Sequence, residues 1–198
     1  PGQTIEVSGF SDAEPLFIAL YETILRAGAT PELRMLPETT QELFFQHAND
    51  QQLNTVSPYR MDNAKNMHSS IRIISSSNTR ALSAADPQKQ ARYTATLRPW
   101  KERLLKKPWV LTLFPTHAFA QDAEMSLADF ENFVYHATFS DDKNPIRRWN
   151  QLAACQQKLI ASLHGADHIR IVGPETDLSL SVKGRPFINS AGTHNMPS

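Results

Sequence analysis

Thr4-Ile5-Glu6-Val7-Ser8-Gly9-Phe10-Ser11-Asp12-Ala13-Glu14-Pro15-Leu16-Phe17 reads as a strand that turns directly into a helix. Thr4 to Ser8 alternates and is rich in β-formers, so Ile5 and Val7 fall on one face of the strand. Beyond Gly9, Ser11 or Asp12 is placed to cap a helix by accepting from its free amides. Pro15 suits the first helical turn, where its missing N–H is no loss. Ala13, Leu16, Phe17, Leu20, Ile24 and Ala27 then recur every three or four residues and form one apolar stripe. Gly28 supplies a left-handed stop. Leu33 and Met35 make a second strand, closed by Pro37.

The same alternation continues outward. Thr39 or Thr40 caps a short helix carrying Leu43, Phe44 and His47. Residues 50–68 are polar and weakly patterned, with one helix around Pro58 to Asn66. Ile71, Ile73 and Ile74 form a third strand. Asp86-Pro87 opens a long polar helical stretch that Pro99 must break or kink, because proline removes a donor and clashes one turn back. Trp109 to Phe114 is a fourth strand, apolar nearly throughout, which predicts burial on both faces. Ser126 with Asp129 starts a helix bearing Leu127, Phe130, Phe133, Val134 and Ala137. Asn144-Pro145 starts another, ended by Gly165. Ile169 to Val172 and Leu178 to Val182 are strands joined by the turn Gly173-Pro174-Glu175-Thr176.

Strands alternating with helices predict an α/β fold: an open, mostly parallel sheet with helices on both faces. The antiparallel strand pair near the carboxyl end is expected at or near a sheet edge. One α/β domain over residues 1–189 is the expectation, followed by a polar linker over 190–198.

Composition bounds what such a domain does. The chain has 198 residues, 40% of them apolar, enough for a core, and 20 Lys+Arg balance 20 Asp+Glu. Zero net charge argues against a dedicated nucleic-acid binder. No stretch approaches the ~20 apolar residues a bilayer span needs. A single cysteine, Cys155, excludes an internal disulfide and fits a reducing, cytoplasmic compartment. Its helical setting, without a neighbouring base, predicts a buried small hydrophobe rather than a nucleophile.

Catalytic patterns are sparse. The first turn, Gly9-Phe10-Ser11-Asp12, has one glycine and a carboxylate that would repel phosphate, so a dinucleotide site is not expected. His164 and His168 stand four apart, a metal-ligand spacing, but Gly165 separates them and no third ligand is near in sequence. His47, His117, His136 and His194 are isolated. Asp141-Asp142 and Glu102 fall where loops or solvated helix faces are expected. No residue is nominated as catalytic, cofactor-binding or metal-ligating. Charge is uneven, however. Residues 88–107 hold seven basic side chains against Glu102 alone, whereas 116–142 hold six acids and no Lys or Arg. The first of these, with Tyr93 and Trp100, is the basis of an alternative function: a stand-alone module holding nucleic acid or an acidic partner on a basic helix.

Several stretches together resemble the thermophilic-type metallo-aminopeptidases, the family of aminopeptidase T and aminopeptidase S. They are Pro1-Gly2; Glu14-Pro15-Leu16 with Ala19-Leu20-Tyr21 and Arg26-Ala27-Gly28-Ala29; and Pro115-Thr116, Ala118, Ala120-Gln121, Ala123, Met125-Ser126, Phe130 and Phe133. Gly173-Pro174 with Thr176-Asp177-Leu178, and Asn195-Met196-Pro197, complete the set. Glu124 stands where the family usually has glycine, and residues 50–68 match poorly. The resemblance implies a leucyl aminopeptidase-like activity, removal of amino-terminal residues from peptides with two divalent metals of the zinc, cobalt or manganese class. It also implies that the ligands belong to a carboxyl-terminal catalytic domain beyond Ser198, so this chain would be the non-catalytic amino-terminal domain walling the cleft. A homodimer of the parent is implied too. Neither a membrane nor a nucleic acid is expected as a partner.

Overall fold

The computed structural model describes residues 2–191. Pro1 and residues 192–198, with His194, Asn195-Met196-Pro197 and most of the expected linker, lie outside the described residues. The chain divides into two compact units, one ending at Tyr135 and the other beginning at His136.

The first unit is built on four parallel strands in the order β2-β1-β3-β4. These are β1 (Thr4–Phe10), β2 (Thr30–Leu36), β3 (Ser69–Ile74) and β4 (Trp109–Leu113). Helix α1 (Glu14–Arg26) returns the chain from β1 to β2. Between β2 and β3 come α2 (Thr39–His47), α3 (Asp50–Leu53) and α4 (Pro58–Asn66). Between β3 and β4 come α5 (Pro87–Thr96) and α6 (Arg98–Leu104), separated at Leu97 as Pro99 requires. Then follow α7 (His117–Asp122) and α8 (Leu127–Ala137).

Parallel strands demand crossovers, and the crossovers put helices on both faces. On the face of Val7, the α1 stripe packs Ala13, Phe17 and Ile24 on Val7 and Ile73, with Ile5, Leu16, Leu20 and Ile71 around them. Phe17 is 1% exposed, and burial of such a ring is worth about 1.5–3 kcal/mol. Gly9 permits this packing. A Cβ there would lie 2.7 Å from the Ile73 carbonyl oxygen and 3.4 Å from the Phe17 ring. On the opposite face, that of Glu6, Ala64 of α4, Leu97 and Trp100 of α6 form a second buried cluster with Val56, Met61 and Tyr93.

Local details correct several expectations. Neither Ser11 nor Asp12 caps α1: residues Ser11–Ala13 form one 3₁₀ turn that runs into it, and no side chain accepts there. Glu38, not a threonine, precedes α2, because the Thr40 hydroxyl donates to the Pro37 carbonyl at 2.7 Å. Among the described residues strand β4 pairs with β3, and its side chains are mostly half-buried, with Val110 exposed, rather than buried on both faces. The weakly patterned 50–68 stretch holds α3, closed by a reciprocal Asn49–Gln52 capping box, as well as α4.

The second unit carries α9 (Pro145–Leu163), capped by Asn144, whose side chain accepts from the Arg147 amide. Gly165 stops it with φ of +80°. Trp149 donates its indole N–H to the Thr138 carbonyl at 3.1 Å and meets Phe139 edge-on. Strands β5 (His168–Gly173) and β6 (Thr176–Ser181) pair antiparallel with each other, forming their own two-stranded sheet rather than an edge of the parallel one. Pro174-Glu175 is the two-residue turn, with Glu175 at φ of +53°.

Candidate functional site

The face of the sheet carrying Glu6 gathers the polar chemistry. β1 is central, so its even-numbered side chains are covered: Glu6 is 4% and Ser8 8% exposed. A buried carboxylate must be paired. Asn63 of α4 donates to Glu6 Oε2, and the Arg34 guanidinium of β2 stands 3.7 Å from Oε1. Arg34 also lies over the Trp100 ring at 5.8 Å, and Arg60 faces the same ring at 5.4 Å. Arg60 is fixed by donating to the Tyr93 hydroxyl at 3.1 Å. Between α4 and the β1–β2 edge, Glu6, Arg34 and Asn63 floor an open cleft of about 360 Å³. Thr4, Glu32, Tyr59, Asp62 and Asn66 line its rim. It offers hydrogen bonds and carboxylates to a polar ligand, without a nucleophile–base pair.

A second polar feature lies at the carboxyl ends of the strands. β1 sends its crossover to one face and β3 to the other, which makes their junction the crevice where open α/β sheets receive ligands. Here the Glu38 carboxylate, after β2, clasps the loop after β3. It accepts from the Ser76 hydroxyl, from the Ser77 amide and hydroxyl at 2.8 Å each, and from the Asn78 amide at 3.2 Å. Burial raises its pKa, but the hydrogen bonds from Ser76, Ser77 and Asn78 outweigh it and hold the carboxyl below its ordinary value. The clasp therefore presents negative charge, which repels phosphate. Neither Glu6 nor Glu38 stood out in the sequence. The available signal was topological: a Glu in the strand flanked on both sides is a buried Glu.

The histidines are dispersed. His47 ends α2, His117 opens α7, and His136 lies in the last turn of α8, 3.2 Å from Asp141. His164 caps the end of α9 while His168 opens β5, so their four-residue spacing does not place them on one helix face. Among the described residues no group of three or more His, Cys, Asp or Glu is placed to hold a metal ion. A two-metal centre therefore does not fit the side chains described. Cys155 is exposed, not buried, because it points away from the side of α9 that holds Asn189 through the Ala153 carbonyl and Gln157. Asp142 pairs with Arg148 at 3.5 Å and Glu102 with Arg98 at 2.8 Å, both in exposed positions.

The basic 88–107 stretch is split over two helices and partly committed. Arg92 pairs with Asp50, Arg98 with Glu102, and the Lys107 ammonium donates to the carbonyls of Lys65 and Met67. Its aromatics turn inward. Trp100 is 8% exposed, and Tyr93 stacks on Phe44 at 4.5 Å. Among the described residues, no helix is long and apolar enough to cross a membrane.

A search of curated proteins returned no match for this chain. A family model, that of the thermophilic metalloprotease M29, matches residues 1–198. The position of Glu124 agrees with the family's usual glycine there, since φ is +56°, a left-handed conformation that glycine adopts without strain. The chain, matched from end to end, belongs to the thermophilic metalloprotease family, M29.

Proposed function

We propose that this chain is the amino-terminal, non-catalytic domain of a two-domain metallo-aminopeptidase, residues 1–189 forming the domain and 190–198 the start of a linker. Membership of a metalloprotease family supports metal-dependent peptide hydrolysis by the parent. The observation that carries the assignment is the dispersal of the ligand-type residues: His47, His117, His136, His164 and His168 sit on or beside separate elements, and no trio of ligating side chains converges among the described residues. Amide hydrolysis needs a Lewis acid or an activated nucleophile together with a base. In the parent those groups reside in a carboxyl-terminal domain with two divalent ions, and this domain walls the cleft, limits substrate size and excludes water. A cytoplasmic location and a homodimeric parent belong to the same proposal.

Turnover tests it. The purified 198-residue chain, assayed with leucine anilide in the presence of zinc, cobalt or manganese, is expected to show no hydrolysis above the metal-only control. Metal-dependent turnover by the chain alone would refute the assignment. The alternative, a nucleic-acid or acidic-partner module on residues 88–107, loses support because Trp100 is buried and the half-buried Tyr93 ring is packed against Phe44, so neither ring is free to stack on bases.

A further inference from the structure

Parallel register puts Arg34 of β2 and Arg72 of β3 level with Ser8 of β1, one on each side. The odd residues Ile71 and Ile73 pack on the α1 face, so Arg72 projects from the opposite one, with Glu6 and Arg34. Two strand spacings, roughly 10 Å in all, separate the two arginine Cα atoms, a span that two extended guanidinium arms readily close. The heads feel each other: desolvation and the charge of Arg34 together push the Arg72 guanidinium below its ordinary value.

Neither arginine has spent its donors. Among the described residues the Arg34 Nε is buried without a hydrogen-bond partner, and the carboxylate it pairs with, Glu6, stands at 3.7 Å. Arg72 is exposed as a residue while its guanidinium is partly desolvated beside Arg34, and it makes no ion pair or hydrogen bond among the described residues. A buried N–H left unpaired costs about 1–3 kcal/mol, so a site that leaves one open favours an acceptor brought from outside. Glu6 and Glu32 on the same face balance the two arginine charges, which disfavours a dianionic phosphate, while the planar fork of arginine pairs with a monovalent carboxylate through two parallel hydrogen bonds.

We propose that Arg34 and Arg72, flanking the buried Ser8, form a binding site for the α-carboxylate of a short peptide. The peptide part rests on the aminopeptidase assignment above; the carboxylate part rests on the two guanidinium groups. Such a site anchors the far end of a short substrate in the parent enzyme and selects for chain length.

Calorimetric titration of the 198-residue chain with triglycine, triglycine amide and inorganic phosphate tests it. Triglycine is expected to bind, with the amide at least about tenfold weaker, as loss of a charge-assisted pair implies. Arg72→Gln should lose triglycine by a similar factor, Arg72→Lys by less, and Arg103→Gln, on the exposed side of α6, not at all. Equal binding of triglycine and its amide, no binding of either, or tighter binding of phosphate would overturn the proposal. The triglycine–amide comparison uses the unaltered chain, so it stands even where a variant fails to fold. Hydrolysis of triglycine in the same cell is a separate readout: it would refute the non-catalytic assignment and not the carboxylate site.

Discussion

Glu6 shows how a single side chain can be misread as surface. In the alternation Ile5-Glu6-Val7-Ser8 it occupies a polar slot, yet the strand is central and both faces are covered. Removing its carboxylate orphans Asn63 and leaves Arg34 without a counter-charge. Glu6→Ala should therefore lower unfolding free energy in urea by about 1–3 kcal/mol, with Glu6→Gln costing less because an acceptor for Asn63 remains. Glu124 works in the opposite sense. Its φ of +56° is strained for any residue with a Cβ, so Glu124→Gly should stabilise the chain by about 0.5–1 kcal/mol in the same melt. Glu38 titrates. Its folded pKa lies below the unfolded one, so the stability from its clasp is present above the ordinary carboxylate range and drains away as pH falls through the folded value. Glu38→Gln should flatten that acid limb of a stability-versus-pH curve; an unchanged limb would show that the clasp contributes nothing.

Elements were legible where local chemistry and tertiary packing agreed. The α1 stripe, the Ser126–Asp129 and Asn144 starts, and the Gly28 and Gly165 stops all mark helices that the structure contains. Asn144→Ala should cost about 1 kcal/mol in the thermal unfolding of the second unit, as loss of an N-cap does. The short helices α3 and α7 were missed because so few residues cannot display a stripe; only the caps Asn49 and Thr116 betray them. β4 misled for another reason. Its apolar run predicts burial on both faces, yet Val110 stays exposed and the other residues of the strand are only half-buried. The antiparallel pair was correctly read as a pair, but pattern alone carries no record of which sheet a hairpin joins.

For the whole molecule, the parallel α/β architecture and the family were readable from strand–helix alternation and from ordered motifs such as Pro115-Thr116 and Gly173-Pro174. The polar face was not. Arg34, Asn63 and Trp100 come from three distant stretches, and only the crossovers of a doubly wound sheet bring them over Glu6. The central claim is that this polypeptide supports a cleft whose bond-breaking ions are held elsewhere. Elemental analysis of the purified 198-residue chain, after dialysis against zinc, cobalt or manganese and then buffer, addresses it most directly. The prediction is retention of no more metal than a non-binding control protein; stoichiometric, chelator-removable metal would contradict it.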